Sequence, residues 1–414
     1  MVLRPVPKAE GGKICLLWHR FGPYHHARFK AARKVLDVVG VEFSSVDPTY
    51  AWDRVDSKSP ANMVTLFDRF SQDIPVPEIR RRVDEVFSGL DPAAVVIPGW
   101  SDRVPLAALD WCLRRRVPAV LMSPSQKSDA PRVWVKEWPK QRIVRRFSAA
   151  LVGGGPQKRY LTGLGFSEGK IFTGYNVVDN AHFYGGAMKA RKAGKALRKS
   201  LGLPEDYFVL STRFVPKKNL ERFLEAYVLY TKRVKGKAWS LVLLGDGPGR
   251  ARLEKMVEER ALRNFVCMPG FKQYNELPVY YGLANALALP STSEQWGLVV
   301  NEAMAAGLPV LVSRACGCCE DLVKDGENGY LMDPLDTDQM ASVLARMGQA
   351  KKKSTNMGAK SLEIIGRWCP DRFAQGLSRA VEAARSAPRS GYGAMDRMIV
   401  GAVMRQKLKG YQDQ

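Results

Sequence analysis

The sequence predicts an α/β protein of two domains, each built on a parallel β-sheet covered by helices. A chain of 414 residues is too long for one ordinary hydrophobic core and suits two domains. Short apolar runs alternate with helical patterns, which is typical of parallel sheets wrapped by helices. The composition changes near residue 188, and a second alternating series follows that change.

The first series begins with an apolar run at Ile14–Trp18, which turns through His19–Pro23 into a helix predicted over Tyr24–Val38. Further strands are predicted at Val41–Phe43, Ala93–Ile97, Ala119–Met122, Ala149–Val152 and Ile171–Thr173. Helical patterns lie between most of these runs. This half is therefore expected to form one parallel sheet.

The domain junction is predicted where Met188–Lys199 becomes basic and poor in bulky apolar residues. Strands are predicted after it at Phe208–Thr212, Ser240–Leu244, Asn264–Met268, Ala286–Leu289, Pro309–Val312 and Tyr330–Met332. We therefore predict domains at residues 1–187 and 188–370. A helix over Asp371–Ala384 and a basic tail make up residues 371–414.

The net charge of +23, from 64 Lys and Arg against 41 Asp and Glu, favours phosphate, anionic lipid or nucleic acid as partners. No apolar stretch approaches the roughly 20 residues of a membrane span, and residues 1–12 lack the apolar segment of a signal peptide. We expect a cytoplasmic protein. Seven cysteines favour reduced thiols, and Cys316, Cys318 and Cys319 have no fourth ligand at zinc-site spacing, so no metal is predicted.

The most informative segment runs from Pro290 to Gly307, after a predicted strand. It has a polar loop and opens a helix near Gly297, where unpaired backbone N–H groups and the helix dipole favour a phosphate. Side chains tilt toward a helix N-terminus, so Glu302 can reach back to a ligand there. Glu294 lies in the loop at the carboxyl end of the strand, where open α/β sheets bind ligands. Alternatively, Glu294 caps the helix and Glu302 is a solvated charge.

This segment resembles the family 4 retaining glycosyltransferases of GT-B fold. Glu294 and Glu302 match that family's E-x7-E motif, and Trp296-Gly297-Leu298 resembles its Phe-Gly-Leu. Further resemblances follow in chain order: Arg213-Phe-Val-Pro-Lys217-Lys218 to its Arg and Lys pair, Leu244–Pro248 to its Gly-x-Gly turn, Gly270-Phe271 to its base-side loop, and Asp325–Tyr330 to its late turn. The ordered set covers roughly residues 149–384.

The resemblance implies two Rossmann-like domains whose parallel sheets face across a cleft. It assigns the catalytic roles to Glu294, Arg213 and Lys218. Arg213 and Lys218 would clamp the diphosphate and stabilise the departing nucleotide, and Glu294 would hold the transferred sugar. Without the motif order, Arg213 and Lys218 would be interpreted as ordinary surface charges.

The donor-binding residues implied by the resemblance surround the same helix start. Glu302 would hold the ribose, and the backbone N–H groups of Gly297 and Leu298 would hold phosphate or sugar oxygens. The remaining donor-site candidates are Trp296, Phe271 and Gly22. In the loop after the first strand, only Gly22 would let a backbone approach closely.

Candidate acceptor-binding residues lie in the N-terminal half. His25 and His26 follow the first strand; alternatively they are polar residues on the first turn of a surface helix. Trp100, Ser123 and Ser125 follow later strands, with simple loop polarity as the alternative. Family members often have a His near the position of Ser123, and this chain has none.

The expected activity is retaining transfer of a sugar from a nucleotide-sugar donor, with UDP favoured over GDP, to a hydroxyl of a lipid-linked or surface glycan. No metal or cofactor is expected, since positive side chains and a helix terminus neutralise the leaving group. The charge alone also permits a basic nucleic-acid-binding protein, although no specific nucleic-acid signature is present. A transferase-like scaffold without catalysis is the other alternative.

The basic tail from Arg389 to Gln414 suggests a peripheral position on the inner face of a membrane. It mixes Arg397, Arg405, Lys407 and Lys409 with apolar residues. Such a segment can lie as an amphipathic helix on an anionic leaflet. A solvated or domain-packed helix is the alternative.

Overall fold

A computed structural model describes residues 11–46, 62–130, 132–349, 351–388 and 391–406. The chain divides into two compact units. Unit 1 holds the described residues within Met1–Lys127, Pro131–Val177 and Pro370–Gln414, and unit 2 holds Ser128–Ala130 and the described residues within Val178–Cys369. Each unit contains its own parallel sheet, so the predicted α/β class with two such domains is confirmed.

Unit 1 is built on a seven-stranded parallel sheet in the order β3-β2-β1-β4-β5-β6-β7. Its strands are β1 (Ile14–Trp18), β2 (Val38–Ser44), β3 (Met63–Phe67), β4 (Ala94–Pro98), β5 (Ala119–Ser123), β6 (Ala149–Val152) and β7 (Ile171–Thr173). The sequence predicted all of these except β3. That strand lies at the sheet edge, and only Leu66 in it is buried.

Unit 2 is built on a six-stranded parallel sheet in the order β10-β9-β8-β11-β12-β13. Its strands are β8 (Tyr207–Ser211), β9 (Ser240–Leu244), β10 (Val266–Gly270), β11 (Ala286–Leu289), β12 (Val310–Ser313) and β13 (Gly329–Met332). Each overlaps a predicted strand. The strand order reverses direction between β8 and β11, the kind of switch point at which such sheets bind ligands.

The described helices cover both sheets. They are α1 (Pro23–Ala32), α2 (Val76–Leu90), α3 (Arg103–Arg115), α4 (Trp134–Val144), α5 (Gly155–Gly163), α6 (Asn180–Ser200), α7 (Leu220–Arg233), α8 (Arg250–Glu259), α9 (Leu277–Leu283), α10 (Leu298–Ala305), α11 (Cys319–Leu322), α12 (Thr337–Gly348), α13 (Lys351–Ile365), α14 (Pro370–Ser386) and α15 (Ala394–Arg405). Among the described residues, no helix is long and apolar enough to cross a membrane.

The division between the units falls after Val177, earlier than the predicted boundary at residue 187. Helix α6 begins directly after this point, where the Asp179 carboxylate accepts the backbone N–H of His182 at 3.1 Å. The basic segment Met188–Lys199, predicted as a junction, lies in the later part of α6, where Gly194 (φ +55°) interrupts the helical backbone. Its charged residues are mostly exposed, while α6 packs against α9 within unit 2. The composition change therefore reflected a solvated helix face.

The chain returns to unit 1 at Pro370. Helix α14 buries an apolar stripe that includes Phe373 and Leu377, and packs against α1. Helix α15 then packs against α3 and buries Ile399, Val400 and Met404 in the same unit. The described part of the tail is thus a domain-packed helix. The predicted contributions of Lys407 and Lys409 lie outside the described residues.

Candidate functional site

The predicted catalytic residues come together at one edge of the unit 2 sheet. Strands β8 and β11 are parallel neighbours, so the segments that follow them meet at the carboxyl edge. The Thr292 backbone N–H, after β11, donates to the Lys217 carbonyl, after β8, at 2.9 Å. The Lys218 ammonium forms an ion pair with the Glu294 carboxylate. The structure therefore joins two motifs that are 76 residues apart in sequence.

The Glu294 carboxylate is fixed by two side chains that contact its Oε1. Besides the ion pair with Lys218, its Oε1 accepts a hydrogen bond from the Ser291 hydroxyl at 3.0 Å. The Lys218 and Glu294 side chains are 15% and 14% exposed, so the pair is largely shielded from water but remains accessible. Helix α10 has no side-chain cap, which rules out the alternative that Glu294 caps it.

The segment after β8 concentrates positive charge. Burial lowers the pKa of the Lys217 ammonium, and the neighbouring charges of Lys218 and Arg213 lower it further. The carboxylates of Glu294 and Asp129 act on Lys217 in the opposite direction. Three cations thus face two carboxylates, and the excess positive charge makes this edge a favourable place for a polyanion.

The start of α10 is held in shape by its own backbone. Gly297 has φ +100°, a left-handed conformation that side chains other than glycine disfavour, and helix α10 begins at Leu298 as predicted. A Cβ at Gly297 would lie 2.9 Å from the Leu289 Cδ2. The Cys318 backbone N–H donates to the Trp296 carbonyl at 3.1 Å, which ties this loop to the segment after β12.

The side chain of Trp296 lies in the core, not on the loop surface. It is 2% exposed, its Nε1 donates to the Asn301 Oδ1 at 2.8 Å, and its ring packs against Trp368 at 5.2 Å. This placement corrects the assignment of Trp296 as a donor contact. Its role is to support the loop that carries Glu294 and Gly297.

Glu302 is fully buried, so the alternative of a solvated charge is wrong. The Tyr281 hydroxyl donates to its Oε2 at 2.6 Å. Burial raises the pKa of Tyr281 well above its usual range, and the Glu302 carboxylate raises it further. The tyrosine therefore stays a donor and fixes the carboxylate. Ribose binding by Glu302 remains a prediction.

The predicted Gly-x-Gly turn after β9 packs against the cation-rich segment. The Phe214 backbone N–H donates to the Asp246 carbonyl at 2.8 Å. Gly245 has φ +136°, and a Cβ there would lie 1.8 Å from the Thr212 carbonyl oxygen, so only glycine fits. Phe271 follows β10 with a partly exposed ring. Apart from Trp296 and Glu302, whose side chains are buried, the predicted donor-side residues of unit 2 thus follow strands at one sheet edge or lie at the start of α10.

Gly22 and His25 form a closed local arrangement in unit 1. The Gly22 backbone N–H donates to the His25 Nδ1 at 3.1 Å, so the His25 proton is on Nε2. Gly22 has φ −92°, which any residue adopts, and a Cβ there would lie 3.7 Å from the His25 Nδ1. The geometry does not require glycine and the N–H is already bonded, which corrects the assignment of Gly22 to the donor site.

The pKa values of the two neighbouring histidines are both lowered. Burial lowers the pKa of His25 well below its usual range, and the Arg28 guanidinium lowers it further. Its ring packs on Trp18, with ring centroids 4.9 Å apart. Burial also lowers the pKa of His26. His25 therefore fits the alternative of a first-turn helix residue, whereas His26 stays a predicted acceptor contact.

Two of the remaining acceptor candidates are buried. Trp100 is 6% exposed and belongs to the unit 1 core. Ser123 is also buried, and its Oγ accepts the Ser125 backbone N–H at 3.2 Å. Direct acceptor contact is corrected for Trp100 and Ser123, which shape the core and the loop. Ser125 is partly exposed and stays a candidate.

Sequence reasoning missed an imidazole and carboxylate pair at the carboxyl edge of the unit 1 sheet. The His19 Nδ1 lies 3.3 Å from the Asp102 Oδ2, and the two follow the neighbouring strands β1 and β4. The His19 side chain is 37% exposed, whereas Asp102 is buried. An imidazole held in this way can hydrogen-bond a hydroxyl. Only the position of His19 after a predicted strand could have indicated it, because its partner is distant in sequence.

All seven cysteines are free. Burial raises the pKa of the Cys316 and Cys318 thiols well above their usual range. Within the described part of the chain, no group of three or more His, Cys, Asp or Glu side chains could hold a metal ion.

Comparison with known proteins agrees with this geometry. Residues 195–363, which contain β8 to β13, match the family described as Glycosyl transferases group 1. This segment belongs to that family. The match includes the cation-rich segment after β8 and both Glu294 and Glu302, so the residues that form the candidate site lie in the family's own region of the chain.

Curated relatives match over the same part of the chain. Alpha-D-kanosaminyltransferase of Streptomyces kanamyceticus is 34% identical over 160 residues, which cover 38% of this chain and 40% of that protein. Alpha-monoglucosyldiacylglycerol synthase of Acholeplasma laidlawii is 32% identical over 185 residues, 42% of this chain and 45% of that protein. The matches thus span less than half the length of either relative.

Solved structures extend the fold comparison to most of the chain. Anabaena HepE, in a structure in complex with UDP, superposes with a TM-score of 0.69 at 16% identity and covers 90% of this chain and 100% of that chain. The chain therefore has the GT-B fold.

Proposed function

We propose that this chain is a glycosyltransferase that moves a sugar from a nucleotide-sugar donor to an acceptor hydroxyl. The observation that carries the proposal is the convergence, at the carboxyl edge of the unit 2 sheet, of the cation-rich segment containing Arg213 and Lys218 with the loop containing Glu294. This convergence supplies positive charge for a diphosphate and a fixed carboxylate for sugar hydroxyls beside one helix start.

The proposed chemistry follows from where charge develops. When the bond between the sugar carbon and the diphosphate oxygen breaks, that oxygen gains negative charge, and the side chains of Arg213 and Lys218 stabilise it. Glu294 holds the transferred sugar through its hydroxyls. Because these cations and the α10 N-terminus supply the neutralising charge, we propose that transfer proceeds without a divalent metal ion.

We further propose retention of the anomeric configuration, with the leaving phosphate accepting the proton of the attacking hydroxyl. UDP is the favoured nucleotide, a choice supported by the UDP complex of the HepE structure. A lipid-linked or surface glycan is the favoured acceptor. The name of the diacylglycerol-directed relative supports a lipid acceptor, and His19, His26 and Ser125 are the unit 1 side chains proposed to contact it.

The first experiment is a thermal-shift panel of UDP, GDP, ADP and their sugar conjugates in the presence of a chelator. A nucleotide at about 100 times its dissociation constant stabilises the folded protein by roughly 2.7 kcal/mol. We expect one nucleotide to raise the melting temperature of the wild type, and Arg213→Ala or Lys218→Ala to abolish that shift. Lys255→Ala is the control, since Lys255 is exposed on α8 and paired with Glu259.

The second experiment identifies the product. With the nucleotide known, proton NMR of the transferred sugar reports whether the anomeric configuration of the donor is retained. An inverted product would exclude the retaining mechanism while leaving the transferase assignment intact. If no nucleotide shifts the wild type even at millimolar concentration, the donor site is disproved, and the scaffold and nucleic-acid alternatives return.

A further inference from the structure

Unit 1 carries an exposed apolar surface where helices α4 and α15 pack against each other. Among the described residues, the large exposed apolar side chains include six in these two segments: Val133, Trp134, Val135, Trp138, Met395 and Met398. The six form what we call the α4/α15 face. Trp134 is 77% exposed, and the described residues expose no tryptophan outside this face.

The face is continuous across the two helices. The Arg142 guanidinium lies 5.5 Å from the Trp138 ring centroid and also contacts the Met395 Sδ at 3.1 Å. Met398 follows Met395 by three residues on α15 and therefore lies on the same side of that helix. Trp138 and Met395 thus belong to one surface that the Arg142 guanidinium bridges. Trp134, four residues before Trp138, lies on the same side of α4.

An arginine-rich cavity of about 640 Å³ adjoins this face at Met398. Its cationic lining consists of Arg80, Arg81, Arg114, Arg397 and Arg405, with Asp84 and Asp110 as its acidic residues. Arg114 pairs with Asp110, and Arg81 pairs with Glu85 outside the lining. In the part of the chain that the structure describes, Arg80, Arg397 and Arg405 have no carboxylate partner. The cavity therefore carries excess positive charge.

We propose that the α4/α15 face docks on an anionic phospholipid bilayer. Tryptophan prefers the headgroup region of a membrane, methionine and valine suit the acyl boundary, and arginine pairs with lipid phosphates. The cavity beside Met398 holds the phosphate of an anionic headgroup. The face combines exposed apolar side chains with the Arg142 guanidinium and the arginine-lined cavity. This combination selects an anionic lipid surface over an acidic protein, because a protein surface offers no acyl layer for the exposed Trp and Met side chains.

The docking surface lies close in sequence to the candidate acceptor loop. Helix α4 follows β5, whose carboxyl end carries Ser123 and Ser125. The tail helix α15 contributes Met395 and Met398 to the face. The sequence predicted a membrane contact for the tail alone, whereas the proposed contact surface includes α4 as well. The inference adds a location for the proposed transferase, but it does not rest on sugar transfer.

The test is co-sedimentation of the full chain with vesicles, without nucleotide. We compare vesicles of phosphatidylcholine alone with vesicles of phosphatidylcholine and phosphatidylglycerol in equal parts. The wild-type protein is expected to bind the mixed vesicles and to show little binding to vesicles of phosphatidylcholine alone. The double variant Trp134→Ser, Trp138→Ser and the double variant Arg397→Glu, Arg405→Glu are each expected to bind the mixed vesicles at least about tenfold more weakly.

Matched controls come from unit 2. Leu335→Ser removes an apolar side chain that is 67% exposed, between the values of Trp138 and Trp134, and Lys255→Glu reverses an exposed charge on α8. Both controls should bind like the wild type, and melting temperatures check that every variant folds. The proposal would be overturned if the wild type bound neither kind of vesicle. It would also be overturned if the tryptophan variant bound the mixed vesicles as strongly as the wild type does. A third contrary result would be a wild-type dimer that the tryptophan substitutions convert to a monomer without any change in vesicle binding. That result would assign the face to contact with a second copy of the chain. A failed nucleotide shift would leave this result untouched.

Discussion

At the residue scale, Lys218 has one partner in the described structure and a second one in the proposed reaction. It neutralises the buried side of Glu294, and the same ammonium would stabilise the departing diphosphate. By contacting both, Lys218 would position the sugar-binding carboxylate of Glu294 next to the leaving diphosphate. The contact between Lys218 and Glu294 is therefore part of the proposed catalytic geometry.

Replacing Lys218 is expected to reduce kcat by about 10²- to 10³-fold, the range seen when one charge-stabilising donor is removed. Lys218→Ala loses the charge, whereas Lys218→Arg keeps it and should retain more activity. Steady-state turnover with the nucleotide sugar measures both, and Lys255→Ala serves as the control on α8. An effect confined to KM would show that Lys218 only binds the donor.

Tyr281 is expected to stabilise the fold through Glu302. Because the Tyr281 hydroxyl donates to a fully buried carboxylate, Tyr281→Phe leaves that carboxylate short of a donor. We expect a loss of about 1–3 kcal/mol in the free energy of unfolding, measured in urea. Tyr280→Phe is the matched control, since this buried neighbour has no hydroxyl hydrogen bond among the described residues. Equal losses in both variants would contradict the assignment.

The histidines of α1 are expected to make stability depend on pH. The folded-state pKa of His25 is depressed by burial, so the unfolded chain binds a proton first. Stability is therefore complete above the unfolded pKa of about 6.5 and falls as the pH drops below it, by at most about 1.4 kcal/mol per pH unit. Urea unfolding between about pH 7 and pH 5 should show the decline.

His25→Asn keeps an acceptor for the Gly22 N–H without a titrating group, and it should flatten the pH dependence. His26 has the same direction of shift, so His26→Gln removes a second, separate contribution. An unchanged slope in His25→Asn would mean that folding does not lower the pKa of His25.

The part of the site that sequence could predict is the part carried by short motifs. Glu294, Gly297 and the start of α10 follow from a strand, a polar loop and a helix start in one stretch of chain. The burial of Trp100, Trp296 and Ser123 could not be predicted, because a polar or aromatic residue after a strand points either to a ligand or to the core. The pairing of His19 with Asp102 needed the three-dimensional sheet order.

At the element scale, the strands of both sheets were predictable because buried parallel strands are continuous apolar runs. The edge strand β3 and the division before α6 were not. The edge strand buries little, and the basic residues of α6 resemble a linker when only their composition is considered. The packing of α15 was likewise not predictable, because the sequence does not show which face of the helix is buried against unit 1.

Helix α15 is expected to contribute to the stability of unit 1 through its buried face. Met404 is fully buried against the core, whereas Met398 on the same helix is 68% exposed. We expect Met404→Ala to lower the free energy of unfolding by about 2–5 kcal/mol, and Met398→Ala to change it by less than about 0.5 kcal/mol. Chemical denaturation of the two variants provides the comparison. Similar values would mean that α15 does not remain packed in solution.

At the scale of the whole molecule, the two units have different proposed roles. The family match and all the cation-rich donor residues lie in unit 2, whereas the candidate acceptor residues and the α4/α15 face lie in unit 1. The charge of +23 is consistent with both a diphosphate site and an anionic surface, and for that reason the sequence total could not choose between them.

This division predicts where ligands protect the backbone from hydrogen exchange. Nucleotide should slow exchange in the segments around Arg213–Lys218 and Gly297–Glu302, because local opening there would break ligand contacts. Anionic vesicles should instead slow exchange in α4 and α15. Exchange mass spectrometry on one protein with each ligand in turn separates the two effects, and Arg213→Ala should abolish the first while preserving the second. If nucleotide protected unit 1 segments alone, the donor would be bound by the other unit, and the assignment of roles would be reversed.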